Sequence, residues 1–244
     1  MQIAPPFGYT EVAPLYRNQK VRLLASGEIP EFARKANAIP ISFTEFSLVA
    51  RDYPIVFTAS DKGEAIAPVA VLGMTAGENL YFRGDAWAPK TYIPAYARRY
   101  PFCMARVNLN GVEQADRLIC VEKAHLDDAG EPMFDSQGQP VAKWKDMERL
   151  LTEFEADLER SREMCSILAD YGLLEPFTMQ ATLNQGAAMH LTGMSRVDEK
   201  KLEHLNASQL KNLMRKGALP RIYVHLLSLD NFSKLLERKA AVAA

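Results

Sequence analysis

The sequence has 244 residues, of which 48% are hydrophobic and 24% are charged. This composition is that of a globular protein with one large or two small domains, and it excludes a disordered or collagen-like chain. The 29 Lys and Arg residues nearly balance the 30 Asp and Glu residues, giving a formal net charge of −1, so a general nucleic-acid binder, which needs an excess of basic charge, is also excluded.

The chain shows no pattern of export or membrane insertion. Residues 1–24 contain prolines and charged residues in place of the apolar run of a signal peptide. The longest uncharged stretch, residues 176–195, holds polar residues that would be costly in hydrocarbon, so we reject a transmembrane span. Cys103, Cys120 and Cys165 lack CxxC spacing and have apolar neighbours, which indicates reduced core residues. We therefore expect a soluble cytoplasmic protein.

The first half has the pattern of a β-rich region. Ser42 and Glu45 form a capping-box pattern that predicts a short helix over residues 44–52. Two β-branched-rich runs then predict strands at residues 54–60 and 66–74. Their connection, residues 61–65, is a plausible hairpin loop, and Pro68 should place its strand at a sheet edge or a bulge. Further strands are predicted at residues 80–82, 102–109 and 117–122, with Asn110 and Gly111 as a turn between the last two.

A small surface hairpin is predicted around the turn at residues 135–138, with Met133-Phe134 and Pro140-Val141 on its two sides. Acidic residues at Asp127, Asp128 and Asp135 resemble the start of a calcium site. The alternating oxygen ligands, central glycine and terminal glutamate of an EF-hand loop are absent, so we predict no metal site here.

One long helix is predicted after Pro140, over residues 145–171, where Pro and Gly are absent until Gly172. Its heptad-like stripe consists of Met147, Leu151, Phe154, Leu158, Ser161, Cys165 and Leu168. Two interpretations are open: a coiled coil that makes a homodimer, or a helix packed across the sheet of its own chain. We favour the second because further apolar residues widen the stripe beyond a narrow seam.

The C-terminal part predicts a hairpin followed by helices. Residues 177–183 and 188–197 form the hairpin around Asn184-Gln185-Gly186. Asp198 and Ser208 are predicted helix N-caps, the second for residues 209–216, and Pro220 opens a last helix that continues through Leu236. Strands first and helices later predict an α+β fold, with residues 1–140 β-rich and residues 141–244 helix-rich.

Sequence motifs of catalysis are missing. We find no phosphate-binding glycine loop, GxSxG or HExxH pattern, and the four histidines are too scattered to give metal-ligand spacing. His225 is interpreted as a hydrogen-bonded core residue, and His190 lies on a predicted strand. We therefore predict no catalytic residue, no metal and no cofactor, and lean against an enzyme.

Residues 92–102 concentrate Tyr and Arg side chains, which are typical of binding hot spots. A similar Arg, Tyr-Pro and aromatic pattern occurs in residues 51–57. One interpretation is that each Tyr-Pro pair begins a strand while the arginines bond carboxylates or carbonyls. The other is a groove for a ligand or peptide. The candidate binding residues are Arg51, Tyr53, Trp87, Tyr92, Tyr96, Arg98, Arg99, Tyr100, His190 and Arg196.

The same segments resemble the SapC family of bacterial proteins over about residues 16–237. Because the resemblance runs through both halves of the chain, it implies that residues 1–244 form a single α+β domain. The matching segments are RDYPIVF at 51–57, YIPAY at 92–96, RRYPF at 98–102, LLEP at 173–176, RVDE at 196–199, GALP at 217–220 and LLSL at 226–229. The family is named from a surface-layer protein locus, and relatives are often encoded beside outer-membrane receptors, tryptophan-halogenase-like flavoproteins and cupin-type oxygenases. The resemblance implies no catalytic residue. A transporter permease of the same name is excluded because it needs several apolar spans.

Three functions follow as hypotheses. The first is a non-enzymatic cytoplasmic adaptor that binds a peptide or protein linked to surface-layer export, with Arg98 and Arg99 holding carboxylates beside an aromatic wall. The second is an accessory protein or enzyme acting with an oxygenase or halogenase, which a pocket of converging polar groups near His190 or Arg196 would favour. The third is a homodimeric scaffold built on the long helix.

Overall fold

The computed structural model describes residues 2–25, 28–59, 65–84, 86–109, 112–182 and 188–243. The strands are β1 (Gln2–Ile3), β2 (Val12–Pro14), β3 (Lys20–Val21), β4 (Ala38–Pro40), β5 (Ile55–Ala59), β6 (Ile66–Val71), β7 (Phe82–Arg83), β8 (Ala86–Trp87), β9 (Phe102–Leu109), β10 (Val112–Glu122), β11 (Glu131–Pro132), β12 (Leu174–Thr182) and β13 (Ala188–Val197). The α-helices are α1 (Glu31–Lys35), α2 (Phe46–Val49), α3 (Ala95–Arg98), α4 (Ala142–Asp170), α5 (Glu199–Glu203), α6 (Ala207–Arg215), α7 (Ala218–Ser228) and α8 (Asn231–Ala243). The fold is α+β, as the sequence predicts.

The larger sheet joins the two halves of the chain. Its strand order is β12-β13-β5-β6-β4, and all neighbours are antiparallel. The hairpin of β12 and β13 comes from the half predicted to be helix-rich, and Ser195 of β13 pairs with Phe57 of β5. The division into a β-rich and a helix-rich half is therefore only approximate, because the second half supplies two strands of the main sheet.

The second sheet has the order β1-β9-β10-β2 and is also antiparallel. Strand β9 has the predicted bounds, and β10 begins five residues before the predicted strand. The strand predicted at residues 80–82 is reduced to the two-residue β7, which pairs with β8. The bridge between Phe134 and Pro140 confirms the predicted small hairpin.

Pro68 lies in β6, which is an interior strand and not the predicted edge or bulge. The ring is tolerated because the neighbouring edge strand β4 ends at Pro40, so its last paired residue on β6 is Val69. Beyond that end, the Pro68 carbonyl accepts a hydrogen bond from the Ile41 amide. The missing N–H of Pro68 thus faces the side where strand pairing stops.

Helix α4 packs across its own chain, as we favoured over a coiled coil. It contacts β6, β9 and the 3₁₀ turn Phe43–Glu45. The helix is followed by Gly172, whose φ of 64° lies in the left-handed region that favours glycine. Its buried residues are Trp144, Leu151, Phe154, Asp157, Ser161, Met164, Cys165 and Leu168. Because most of the predicted stripe lies in the core, it does not offer the seam for a homodimer.

Three predicted helices begin or end differently in the structure. The segment 44–52 splits into a 3₁₀ turn and α2, although the capping box of Ser42 and Glu45 is present. Helix α6 is capped by Asn206, not by Ser208, because the Asn206 side chain accepts from the Gln209 amide. The predicted last helix is two helices, α7 and α8, while the cap at Asp198 is confirmed.

The main core cluster contains residues from β5 and β6 together with residues from α4, α6, α7 and α8. The three cysteines are buried and free, and burial raises the pKa of Cys120 to about 11. In the described ranges, no helix is sufficiently long and apolar to cross a membrane. The turns predicted at residues 61–64, 110–111 and 184–186 lie outside the described residues.

Candidate functional site

Tyr53, the tyrosine of the first Tyr-Pro pair, is fully buried. Its hydroxyl donates a hydrogen bond to the carbonyl of Tyr92 and accepts one, 2.8 Å long, from the indole N–H of Trp87. Its ring centroid lies 4.4 Å from that of Tyr81. Burial raises the pKa of Tyr53 well above its ordinary value. Tyr53 and Trp87 therefore belong to the core and do not form the wall of an accessible groove.

Two carboxylates hold the segment that precedes α3. Asp52 accepts a hydrogen bond of 2.8 Å from the amide of Tyr92. Buried Glu45 accepts from the Tyr92 hydroxyl at 3.0 Å and from the Ala95 amide at 2.6 Å. Its other oxygen accepts from the amide and hydroxyl of Ser42, so a helix-capping residue also fixes the second Tyr-rich segment. Desolvation and the negative charge of Glu45 raise the pKa of Tyr92 to about 12.

Arg99 is a buried cation, with 2% of its surface exposed. Its guanidinium carbon lies 4.1 Å from the ring centroid of Tyr96 and 4.8 Å from that of Phe154. Glu155 of α4 lies 3.5 Å away and also pairs with Arg117. The Arg99 Nε atom has no hydrogen-bond partner in the described part of the chain. Arg99 thus links α3 to α4 inside the protein, and neither it nor Tyr96, also buried, faces solvent.

Arg98, the neighbour of Arg99, points to the surface. Its Nε donates to the Ile93 carbonyl at 2.9 Å, and its terminal nitrogen donates to the Tyr92 hydroxyl at 3.0 Å. The guanidinium also lies over the Tyr92 ring, 5.5 Å from its centroid. No carboxylate of the described residues forms an ion pair with Arg98. The side chain is therefore held in place by a ring, a hydroxyl and a carbonyl, while its charge pairs with no carboxylate of the described residues.

Arg98 borders a largely apolar depression of about 330 Å³, which we call the Arg98 groove. It is lined by Leu23, Leu24, Ala25, Glu28, Ile29, Pro30, Ile93, Ala97, Arg98, Tyr100, Lys143 and Met147. The other charged residues of the groove are already paired, Glu28 with Arg22 at 3.9 Å and Lys143 with Glu131 at 2.6 Å. Arg98 is therefore the unpaired charge of an otherwise neutralised apolar groove, within the described residues.

Tyr100 lines both the Arg98 groove and a second depression of about 420 Å³, which we call the Glu122 depression. Thr10, Glu11, Tyr100, Glu122, Lys123 and Ala124 line it. The Tyr100 ring stands edge-on to that of His125, 5.0 Å between centroids. Its hydroxyl has no hydrogen-bond partner in the described ranges. Desolvation and the nearby charge of Glu122 raise its pKa. An extended ligand that crosses Tyr100 would contact an apolar and a polar surface in succession.

The remaining candidate residues lie elsewhere. Arg51 is exposed, and its carbonyl accepts from Lys234 of α8. His190 is exposed on β13, where it pairs with Gln180. Arg196 forms an ion pair with Glu175 at 2.7 Å. Arg196 also lines a depression of about 450 Å³ that shares no lining residue with the Arg98 groove. Of the predicted set, Arg98 and Tyr100 line one surface groove together in the part of the chain that the structure describes.

His225 is a core histidine, as predicted. Its Nδ1–H donates to the Ile55 carbonyl at 2.8 Å, and its Nε2 accepts from the Val197 amide at 3.1 Å. Desolvation lowers the pKa of His225 to about 4, so the ring is neutral near pH 7. It joins α7 to β5 and β13. In the described ranges, no group of three or more His, Cys, Asp or Glu residues is placed to hold a metal ion.

Several residues of the Arg98 groove were not singled out from the sequence. Leu23, Leu24, Ile29 and Pro30 come from an irregular segment without a periodic pattern. Met147 is part of the predicted helix stripe, yet in the structure it is only partly buried and lies at the groove. Its heptad position was the available signal, but that position does not distinguish a core contact from a groove wall.

Comparison with known proteins identifies one family. The SapC family model matches residues 17–235, which is most of the chain. No curated protein and no solved structure matches it. The match includes both Tyr-Pro segments, α4 and the hairpin of β12 and β13. The chain therefore belongs to the SapC family.

Proposed function

We propose that this protein is a non-enzymatic adaptor that binds an extended peptide segment across Tyr100. An aliphatic or aromatic side chain of the peptide occupies the Arg98 groove, and a neighbouring carboxylate of the peptide pairs with Arg98. The observation that carries the proposal is the Arg98 cation at the border of an apolar groove, where it pairs with no carboxylate of the described residues. A charged hydrogen bond to a carboxylate is stronger than a neutral one, and it gives a direction to the bound chain.

The composition of the groove supports a peptide more than a small polar metabolite. Leu23, Ile29, Ile93 and Met147 give an apolar surface, and methionine adapts its shape to different side chains. The adjoining Glu122 depression holds both charges, with Lys123 paired to Glu11 at 2.8 Å. Backbone amides and carbonyls of an extended peptide are suited to such a polar surface, because each needs a hydrogen-bonding partner on leaving water.

The family resemblance suggests what the peptide belongs to. Because the family is named from a surface-layer protein locus, we propose that the bound segment is part of a protein destined for the cell surface, and that binding takes place in the cytoplasm before export. The proposed role needs no chemistry at the site.

Fluorescence anisotropy with labelled pentapeptides tests this proposal. The peptides carry leucine or phenylalanine before a C-terminal residue that is either a free carboxylate or an amide. We expect saturable binding of the free carboxylate and at least tenfold weaker binding of the amide. Arg98→Ala should remove this difference, and Met147→Glu should weaken both peptides.

Arg51→Ala is the matched control, because Arg51 is an exposed arginine of the similar first segment. It should leave binding unchanged. If no peptide binds the wild-type chain, or if Arg98→Ala binds as tightly as wild type while circular dichroism shows an intact fold, the groove is not the peptide site.

A second function is favoured by the depression at Arg196, where Glu175, Asp198 and Lys200 also meet. This is the polar surface expected of an accessory protein or enzyme that works with an oxygenase or halogenase. Purification from the native host, followed by mass spectrometry of wild type, Arg98→Ala and Arg196→Ala, separates the two functions. Loss of a flavoprotein or cupin partner with Arg196→Ala alone would favour the second.

A further inference from the structure

Helix α7 is apolar on the face that points away from the core. The helix buries Ala218, Ile222, His225 and Ser228. Its solvent-facing residues, at spacings of three and four that place them in one stripe, are Pro220, Tyr223 and Leu227. Tyr223 is 47% exposed and Leu227 is 72% exposed. Among the described residues nothing covers this stripe, and an exposed apolar surface of this kind marks an interaction site.

Among Lys, Arg, Asp and Glu residues, α7 contains only Arg221, and its side chain does not reach this stripe. Its guanidinium carbon lies over the ring of Phe43, 4.2 Å from the centroid, and it donates to the Gly217 carbonyl at 3.3 Å. The centre of the α7 face is therefore uncharged. When identical faces meet about a two-fold axis, each residue near the axis lies close to its own copy, so a charge at the centre would repel itself.

The border of the stripe carries both signs of charge. Leu226, adjacent to Leu227, lines the depression that also holds Glu175, Arg196, Asp198, Glu199 and Lys200. Arg196 and Glu175 pair with each other, and Glu199 and Lys200 are exposed. A border with exposed charges of both signs can complement a second copy of itself, whereas a strongly acidic or basic partner would meet like charges.

We infer that the α7 stripe is the interface of a symmetric homodimer, with a second copy of this chain as its partner. Helix α7 pairs with its own copy through Tyr223 and Leu227, and the surfaces around Glu199 and Lys200 form the polar rim. Since α7 has 11 residues and a stable interface buries at least about 1,000 Å² in total, the contact must extend from the helix over this rim. The inference is independent of the peptide groove, which shares no residue with it.

Sedimentation equilibrium of the full chain tests the interface. Protein concentrations between about 1 and 100 µM cover dissociation constants of moderate affinity. We expect a reversible monomer–dimer equilibrium for wild type. Leu227→Lys should raise the dissociation constant at least tenfold, because it places two like charges near the axis. Val242→Lys is the matched control, since Val242 of α8 is 73% exposed, and it should leave the equilibrium unchanged.

A cross-linking measurement keeps the test decisive if Leu227→Lys fails to fold. All three native cysteines are buried, so Leu227→Cys introduces an exposed thiol. With the thiol oxidant diamide, two such thiols lose their protons and two electrons to the oxidant and form one intermolecular disulfide. We expect dimers with Leu227→Cys and not with Val242→Cys. A wild-type chain that stays monomeric at all concentrations, or a dimer unaffected by Leu227→Lys, overturns the inference and leaves the stripe to a different partner.

Discussion

The two Arg and Tyr-Pro segments look alike in sequence, yet they exchange the roles of their side chains. In the first, Tyr53 is fully buried with its hydroxyl bonded on both sides, and Arg51 is exposed. In the second, Arg99 is the buried residue, and Tyr100 is half-buried with a hydroxyl that bonds to none of the described residues. In both, a strand begins directly after the proline. The local sequence thus determines where each strand begins. Which side chain is buried depends on the other elements of the fold that pack against the segment.

The two segments also differ in their place in the fold: the first belongs to the structural framework, meaning the core of the large sheet, and the second borders the candidate binding site. The first segment leads into β5, a central strand of the large sheet, and its tyrosine is enclosed by aromatic residues. The second leads into β9 and carries the Arg98 groove on its surface. The buried residues of both segments, Tyr53 and Arg99, should therefore control stability, and the exposed residues of the second should control binding.

The largest effect that we expect is from Arg99→Ala compared with Arg51→Ala. Removing Arg99 deletes the packing under Tyr96 and Phe154 and leaves Glu155 with Arg117 alone. Breaking a buried pair typically costs about 3–5 kcal/mol, whereas an exposed substitution changes stability by less than about 0.5 kcal/mol. Urea denaturation of both variants measures the free energy of unfolding. Equal values for the two would contradict the assigned roles of the two arginines.

A smaller effect is expected from Tyr53→Phe compared with Tyr100→Phe. Loss of the Tyr53 hydroxyl leaves the Trp87 N–H and the Tyr92 carbonyl without this partner in the core. Buried polar groups left unpaired cost about 1–3 kcal/mol in the free energy of unfolding. Tyr100→Phe removes a hydroxyl that has no such partner, so its thermal midpoint should stay close to that of wild type. A larger loss for Tyr100→Phe in parallel melts would show that the second segment is the framework.

The pH dependence of stability should report His225, which binds the carbonyl of Ile55 just after the first segment. Its pKa is lowered from 6.5 to about 4. Below pH 6.5 the unfolded chain takes up a proton that the folded chain refuses, so stability falls as the pH is lowered. This group alone should cost about 2 kcal/mol between pH 7 and pH 5.

The measurement for His225 is a pair of urea curves at pH 7 and pH 5 for wild type and for His225→Gln. The glutamine variant is less stable at pH 7 but should lose about 2 kcal/mol less on acidification. Identical losses for the two proteins would mean that His225 is not held neutral by the fold.

The smallest effect on stability is expected from Arg98→Ala. The side chain is exposed, and its hydrogen bonds to Ile93 and Tyr92 are at the surface. We expect a change in unfolding free energy below about 0.5 kcal/mol, together with the loss of carboxylate preference in peptide binding. A variant that is strongly destabilised would place Arg98 in the framework with Arg99.

The sequence predicts the elements whose signals are local. The strand at Phe102, the capping box of Ser42 and Glu45, the cap at Asp198 and the long helix before Gly172 each depend on neighbouring residues, and each is present. The burial of His225 was predicted because its neighbours are apolar. Such features survive because local preference and tertiary packing agree at these positions.

Other features depend on distant contacts and were predicted wrongly or not at all. The burial of Arg99 beside the exposed Arg98 involves an ion pair with Glu155, more than fifty residues later in the chain. The short helix α3 has four residues, too few for a periodic pattern to show which side is buried. Pro68 was assigned to an edge or a bulge because proline has no N–H to donate within a sheet. The neighbouring strand β4, which makes β6 an interior strand, could not be foreseen from Ala38–Pro40 alone.

The pairing of β13 with β5 also has a consequence for synthesis on the ribosome. Strand β5 contains Phe57, and its partner residue Ser195 is translated well over one hundred residues later. Until that hairpin emerges, the edge of β5 that receives it stays unpaired, and an open apolar edge of this kind attracts other strands. The nascent N-terminal half should therefore depend on chaperones, and a fragment ending at residue 140 should aggregate when expressed alone.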